Sequence, residues 1–169
     1  REDNGYKVRF AETLEGSITE ERTLSSGDCF EVVGNLRVEE GGHLTIEPST
    51  VLQFQENAGI AVWDDGKLTA VGEESAGILM TGVEPVRGYW RGVAFHGTNS
   101  TANQLEYVTI EYGGGEPHYR SGSANLMVDT RTGAVRLSVA NTTLQESNDV
   151  GFRAEGANEN FNIDTFDEN

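Results

Sequence analysis

Leu36-Arg37-Val38, Leu44-Thr45-Ile46, Leu52-Gln53-Phe54, Ile60-Ala61-Val62 and Leu68-Thr69-Ala70 repeat one pattern, and each triplet starts eight residues after the last. Within a triplet the apolar residues are two apart, which is the period of a strand and not of a helix. The middle residue is polar in four of the five; Ala61 is the exception. Turn formers fill the intervals: Glu40-Gly41-Gly42, Glu47-Pro48-Ser49, Glu56-Asn57-Ala58-Gly59 and Asp64-Asp65-Gly66. Such short strands could form an antiparallel meander or a coil of parallel strands. The regular interval favours the coil, because stacked strands then bury the same face in one continuous core.

The pattern loosens downstream but persists through Ile78/Met80, Val93/Phe95, Val108/Ile110, Leu126/Val128, Val135/Leu137/Val139, Val150/Phe152 and Phe161/Ile163. With 21 Gly and only 3 Pro in 169 residues, the chain suits many tight turns between short strands. Ala11 to Leu24 is the one stretch that could be argued as a helix, but Gly16, Ile18 and three Thr make strand and turn equally good readings.

The charge balance is 28 Asp+Glu against 12 Lys+Arg, a net −16. That argues against nucleic-acid binding, which needs a basic patch, and against docking on anionic lipid. No apolar run is long enough to insert into a membrane. The single Cys, Cys29, excludes a disulfide framework and a Cys-based zinc cluster, and it reads as a small packed hydrophobe or as a residue facing a neighbouring rung.

Several motifs resemble one family. Gly34 to Val51, with Leu44-Thr45-Ile46-Glu47-Pro48-Ser49-Thr50, resembles the opening coils of secreted bacterial right-handed parallel β-helix proteins of the pectate-lyase-like fold. Gly66-Lys67-Leu68, Gly88-Tyr89-Trp90-Arg91-Gly92-Val93, Leu105-Glu106-Tyr107-Val108-Thr109-Ile110-Glu111-Tyr112-Gly113-Gly114 and Phe161 to Asn169 are similar to later rungs of that family. The resemblance implies an all-β fold, a single-stranded right-handed solenoid over 14–169 with 1–13 as an extension or cap. It implies export, to the periplasm, the cell surface or the medium. It makes Trp90 structural. Ser49 stands where the family has Gly, so a different backbone conformation is expected there. The chain ends on a rung whose only polar cover is Asp164, Asp167 and Glu168. The expectation is therefore a domain cut from a longer chain, or end-to-end self-association.

The same fold hosts enzymes, adhesins and passive surface proteins, so function must come from a site. Trp63 has outward parity and is followed by Asp64 and Asp65; an outward aromatic ring can stack on a sugar or on a neighbouring rung. The glycine-rich interruption from Glu111 to Ser123 carries Tyr112, His118, Tyr119 and Arg120. Long loops on a rigid scaffold are where binding residues concentrate. These seven are the candidate ligand-binding residues, for a glycan or a surface protein. Asp64 and Asp65, with the run Glu155 to Asn160, are the oxygen-rich turns that Ca²⁺ would prefer, and no other cofactor is indicated. Asp129, Arg131 and Arg136 form a carboxylate–arginine set near one strand, without a lyase motif around it. His43, His96 and His118 are scattered, so a site built from them needs tertiary coincidence. No residue is assigned a catalytic role. The expected function is an exported, non-catalytic module for binding or display. The alternatives are a Ca²⁺-assisted polysaccharide lyase and an architectural spacer of an envelope protein.

Overall fold

A computed structural model of the chain describes residues 9–119 and 122–156, and the backbone of the strand at 161–166. The chain climbs in six coils of three short strands. They are β1 (Glu12–Leu14), β2 (Ser17–Ile18) and β3 (Glu21–Leu24); β4 (Cys29–Val32), β5 (Asn35–Val38) and β6 (His43–Ile46); and β7 (Val51–Phe54), β8 (Gly59–Trp63) and β9 (Lys67–Val71). There follow β10 (Ile78–Gly82), β11 (Val93–His96) and β12 (Gln104–Glu106); β13 (Val108–Glu111), β14 (Ala124–Asp129) and β15 (Val135–Ala140); and β16 (Thr143–Gln145), β17 (Val150–Glu155) and β18 (Phe161–Phe166). Each third strand stacks on its counterpart, giving three six-stranded sheets: A (β1-β4-β7-β10-β13-β16), B (β2-β5-β8-β11-β14-β17) and C (β3-β6-β9-β12-β15-β18). Every strand pairing is parallel. The molecule is a right-handed parallel β-helix, and no helix occurs among the described residues.

The eight-residue interval is one side of this triangle. Three sides make a turn, so Leu36 lies beside Ile60 and Leu44 beside Leu68, 24 residues on in each case. Later coils are wider: Ile60 pairs with Val93 and Thr69 with Gln104. The additions bulge from the corners and leave the rungs in line. Leu36, Val38, Leu44, Ile46, Leu52, Phe54, Ile60, Val62 and Leu68 all point inward and are buried, as the periodicity predicts. Trp90 reaches into the core from a corner, stacks on Phe54 with ring centroids 3.8 Å apart and donates its indole N–H to the Glu111 carbonyl at 2.8 Å.

At the start of the solenoid β1 pairs with β4, and Ala11 to Leu24 is strand and turn. Glu12 and Arg22 occupy the positions that Phe30 and Leu44 fill one coil on, and they form an ion pair. A charged pair thus stands at this end of the stack of apolar side chains. Ser49 is corrected: its φ of 62° is the left-handed conformation a Gly would take, so the replacement leaves the turn unchanged. Cys29 is half-buried beside Val51 on sheet A, and burial pushes its thiol up. Side-chain cover of Phe161, Ile163 and Phe166, on which the expectation of an open end rests, lies outside the described residues.

Phe54 is fully buried against Trp90. Phe54→Ala is expected to lower unfolding free energy by about 3–5 kcal/mol, read by urea denaturation; a loss under about 1 kcal/mol would contradict the packing described.

Candidate functional site

The outer face of sheet B carries two columns of side chains set by register. One runs Arg37, Ala61, Ala94, Met127, Arg153; the other runs Trp63, His96, Asp129, Glu155. An outer face is normally wet, yet Ala61, Ala94, His96, Met127 and Asp129 are buried. The cover comes from the glycine-rich segment between β13 and β14, which folds back over β8 and β11. His118 is its anchor: the side chain is buried, and Nε2 lies 3.0 Å from the Gly92 carbonyl, to which it donates. Arg91 ties the same segment down, donating to the Pro117 carbonyl at 2.9 Å and to the Asn57 carbonyl at 2.7 Å. Gly115 N–H bonds the Trp90 carbonyl at 2.9 Å, and Ser123 Oγ bonds the Gly115 carbonyl at 2.6 Å. Small residues beneath make the approach possible. A Cβ on Gly59 would stand 2.6 Å from His118 Cε1 and 2.9 Å from Arg91 Cβ.

Trp63 lies flat on His96, with centroids 4.0 Å apart and planes 11° from parallel. Arg37 places its guanidinium 5.6 Å from the Trp63 ring centroid. Tyr119 meets Trp63 edge-on at 5.6 Å and remains 61% exposed. His118 and His96 sit 6.5 Å apart, ring to ring.

Asp129 organises the far side. Arg131 grips it with two bonds of 2.8 Å, from Nε to Oδ1 and from its terminal nitrogen to Oδ2, and its backbone N–H adds a third at 3.0 Å. His96 Nδ1 lies 3.1 Å from Oδ2. Burial pushes the Asp129 carboxyl up, but the bonds from Arg131 and His96 outweigh it and hold the group below the usual carboxylate range. Asp129 is therefore an acceptor at neutral pH, and His96 carries its proton on Nδ1. Burial holds His96 below its ordinary pKa despite the opposing pull of Asp129, so the ring is neutral. Its Nε2 lone pair is buried and lacks a hydrogen-bond partner among the described residues. Burial also drives His118 down to about 4, outweighing the opposing bond to Gly92, with smaller downward contributions from His96 and Arg91.

A family model described as a pectate-lyase-like β-helix domain matches residues 16–160. The chain belongs to this family. No curated protein and no solved structure matches it.

Of the residues singled out from sequence, this β-helix domain brings together Trp63, His118 and Tyr119. Asp64 and Asp65 sit on the adjoining exposed turn. Asp64 N–H bonds the His96 carbonyl at 3.0 Å, and Asp65 Oδ1 accepts the Gly41 N–H of the preceding coil at 2.9 Å. Among the described residues no three His, Cys, Asp or Glu converge as a metal site. Tyr112 lies apart, packed against the core at the end of β13. Arg120 and residues 157–160 lie outside the described residues. Arg136 sits on β15 of sheet C, whereas Asp129 ends β14 of sheet B. His43 pairs with Thr69 on sheet C, whereas the tertiary coincidence needed by the other two histidines does occur. Sequence reasoning missed Arg37 and the role of His96. The available signal was Ala61: the one apolar residue among the middle positions of the five regular triplets marks where another segment lies on the sheet.

Gly59→Ala is expected to displace His118 and loosen the covering segment, costing about 1–3 kcal/mol in denaturation experiments and raising hydrogen exchange at Gly113–Tyr119. Unchanged exchange there would contradict the close approach.

Proposed function

We propose that the domain is an exported, non-catalytic binding module that presents Tyr119 to a glycan. The observation that carries this reading is an aromatic ring 61% exposed on a segment pinned from below by buried His118. A rigidly held ring loses little freedom on stacking against a sugar face. Trp63 backs it, and the partly exposed guanidinium of Arg37 lies against the Trp63 ring nearby. Export, to the periplasm or cell surface, rests on the resemblance to secreted members of the family.

One observation favours a second reading, a carbohydrate-active enzyme. Asp129 holds His96 in the tautomer that leaves Nε2 as a base, which is the arrangement general-base catalysis needs. That nitrogen is buried beneath the segment, however, and Arg131 is engaged by Asp129.

Screening the protein on a glycan array tests the first reading. Binding by the native protein, weakened about tenfold by Tyr119→Ala, is expected; tenfold corresponds to about 1.4 kcal/mol, the scale of one aromatic contact. Absence of glycan binding, or binding indifferent to Tyr119, overturns it. Release of unsaturated product from a uronate polymer, lost in His96→Gln, would establish the second reading in its place.

A further inference from the structure

We propose that Asn99 is a modification site, the acceptor of an N-linked oligosaccharide carried on the corner between sheets B and C. The inference rests on one half of the reading above, export, because such acceptors are surface loops of secreted chains. It does not involve Tyr119.

Asn99-Ser100-Thr101 and Asn141-Thr142-Thr143 both fit the acceptor pattern, an Asn with a hydroxyl residue two positions on. The pattern is short enough to arise by chance, so what the fold does with each triplet decides between them. Asn99 lies in a wide turn. Seven residues, 97–103, join β11 to β12, against three at 64–66 one coil earlier and five at 130–134 one coil later. The base of this turn is clamped by two buried residues, Thr98 and Asn103. Thr98 Oγ1 donates to the Gly66 carbonyl at 2.7 Å. Asn103 Nδ2 donates to Thr98 Oγ1 at 3.0 Å and to the Arg136 carbonyl at 3.1 Å, and its Oδ1 accepts the Leu68 N–H at 3.1 Å. The coils on either side therefore hold both ends of the turn.

The tip between the clamps is held only by its own residues. Asn103 N–H bonds the Ser100 carbonyl at 3.2 Å, and Ala102 N–H bonds Ser100 Oγ at 3.2 Å. Thr101 contributes its carbonyl, which accepts from Gln104 Nε2 at 3.2 Å. The side chains of Asn99 and Thr101 are exposed and make no hydrogen bond among the described residues. A rigid base thus presents the amide and the hydroxyl that the pattern requires, and the fold uses neither. Asn141 is in the opposite setting. It is half-buried, Thr142 Oγ1 bonds the Ala140 carbonyl at 2.8 Å and the Leu105 carbonyl at 3.3 Å, and Thr143 opens β16 in register with Thr109. An enzyme that takes hold of this triplet must strip β16 from sheet A, whereas residues 99–101 belong to no strand.

The co-substrate is an oligosaccharide on a lipid pyrophosphate. Transfer forms a bond from Asn99 Nδ2 to the anomeric carbon and breaks the bond from that carbon to the pyrophosphate oxygen. The amide gives up one proton, and the lipid pyrophosphate leaves.

The test offers the whole folded chain to an oligosaccharyltransferase with a lipid-pyrophosphate oligosaccharide and reads the product by intact mass and peptide mapping. The native chain is expected to gain a single oligosaccharide, on Asn99. Asn99→Gln and Thr101→Ala, both at exposed positions, should each abolish the gain, and Asn141→Gln should leave it unchanged. A native chain that gains nothing, one modified at Asn141, or a gain that survives Thr101→Ala overturns the proposal. Fractionation of the source cells separates the two readings. Recovery of the protein from the cell interior would sink export and leave the acceptor result standing; refusal at Asn99 by a protein found outside would sink the acceptor site alone.

Discussion

A side chain on a parallel β-helix stands about 4.8 Å from its register partners in the coils above and below. That constraint governs both faces of every sheet here. Inside, it lets Leu36, Ile60, Val93 and Leu126 form a continuous apolar column. Outside, it forbids a strongly acidic chain from stacking carboxylate on carboxylate without help. Sheet A answers by alternation: Glu31 is bonded by Thr13 and Gln55, and Glu111 by Thr81 and Gln145, so each carboxylate meets neutral donors. Sheet B does stack Asp129 on Glu155, and there Arg131 and Arg153 are drawn in, Arg131 bonding Asp129 and both lying within 4 Å of Glu155.

The same register makes the candidate site. Trp63, His96 and Asp129 belong to three successive coils and meet because β8, β11 and β14 are neighbours. Once the segment anchored by His118 covers them, water is excluded and the chemistry of the column changes. Asp129 remains charged because Arg131 and His96 bond it. His96 remains neutral because its surroundings are dry. The face that results is closed at its centre and presents an aromatic ring at its rim.

Much of the rung structure was legible because it is local: strand period two and interval eight are visible without knowing any tertiary contact. The outward parity of Trp63 was legible for the same reason. Its partner was not. The interval from Leu36 to Ile60 is 24, but from Ile60 to Val93 it is 33, and the widened corners hide which outward residue falls beside which. Trp63 and His96, or Asp129 and His96, carry no sequence signal until the coil length is known. The fold-back of Gly113–Tyr119 was signalled only by Ala61, since the close approach that permits it is at Gly59, far off in sequence. The ion pair of Glu12 with Arg22 escaped because β1 and β3 are short and their apolar pattern is broken by that very pair.

The central claim is that the register column on sheet B holds His96 neutral, dry and oriented by Asp129. Nitrogen NMR of the histidine rings tests it directly. The account predicts, for His96 at pH 7, a protonated Nδ1 and an unprotonated Nε2, with the pattern lost in Asp129→Asn. A proton on Nε2, rapid tautomer exchange as in a solvated imidazole, or a doubly protonated ring at pH 7 would contradict it.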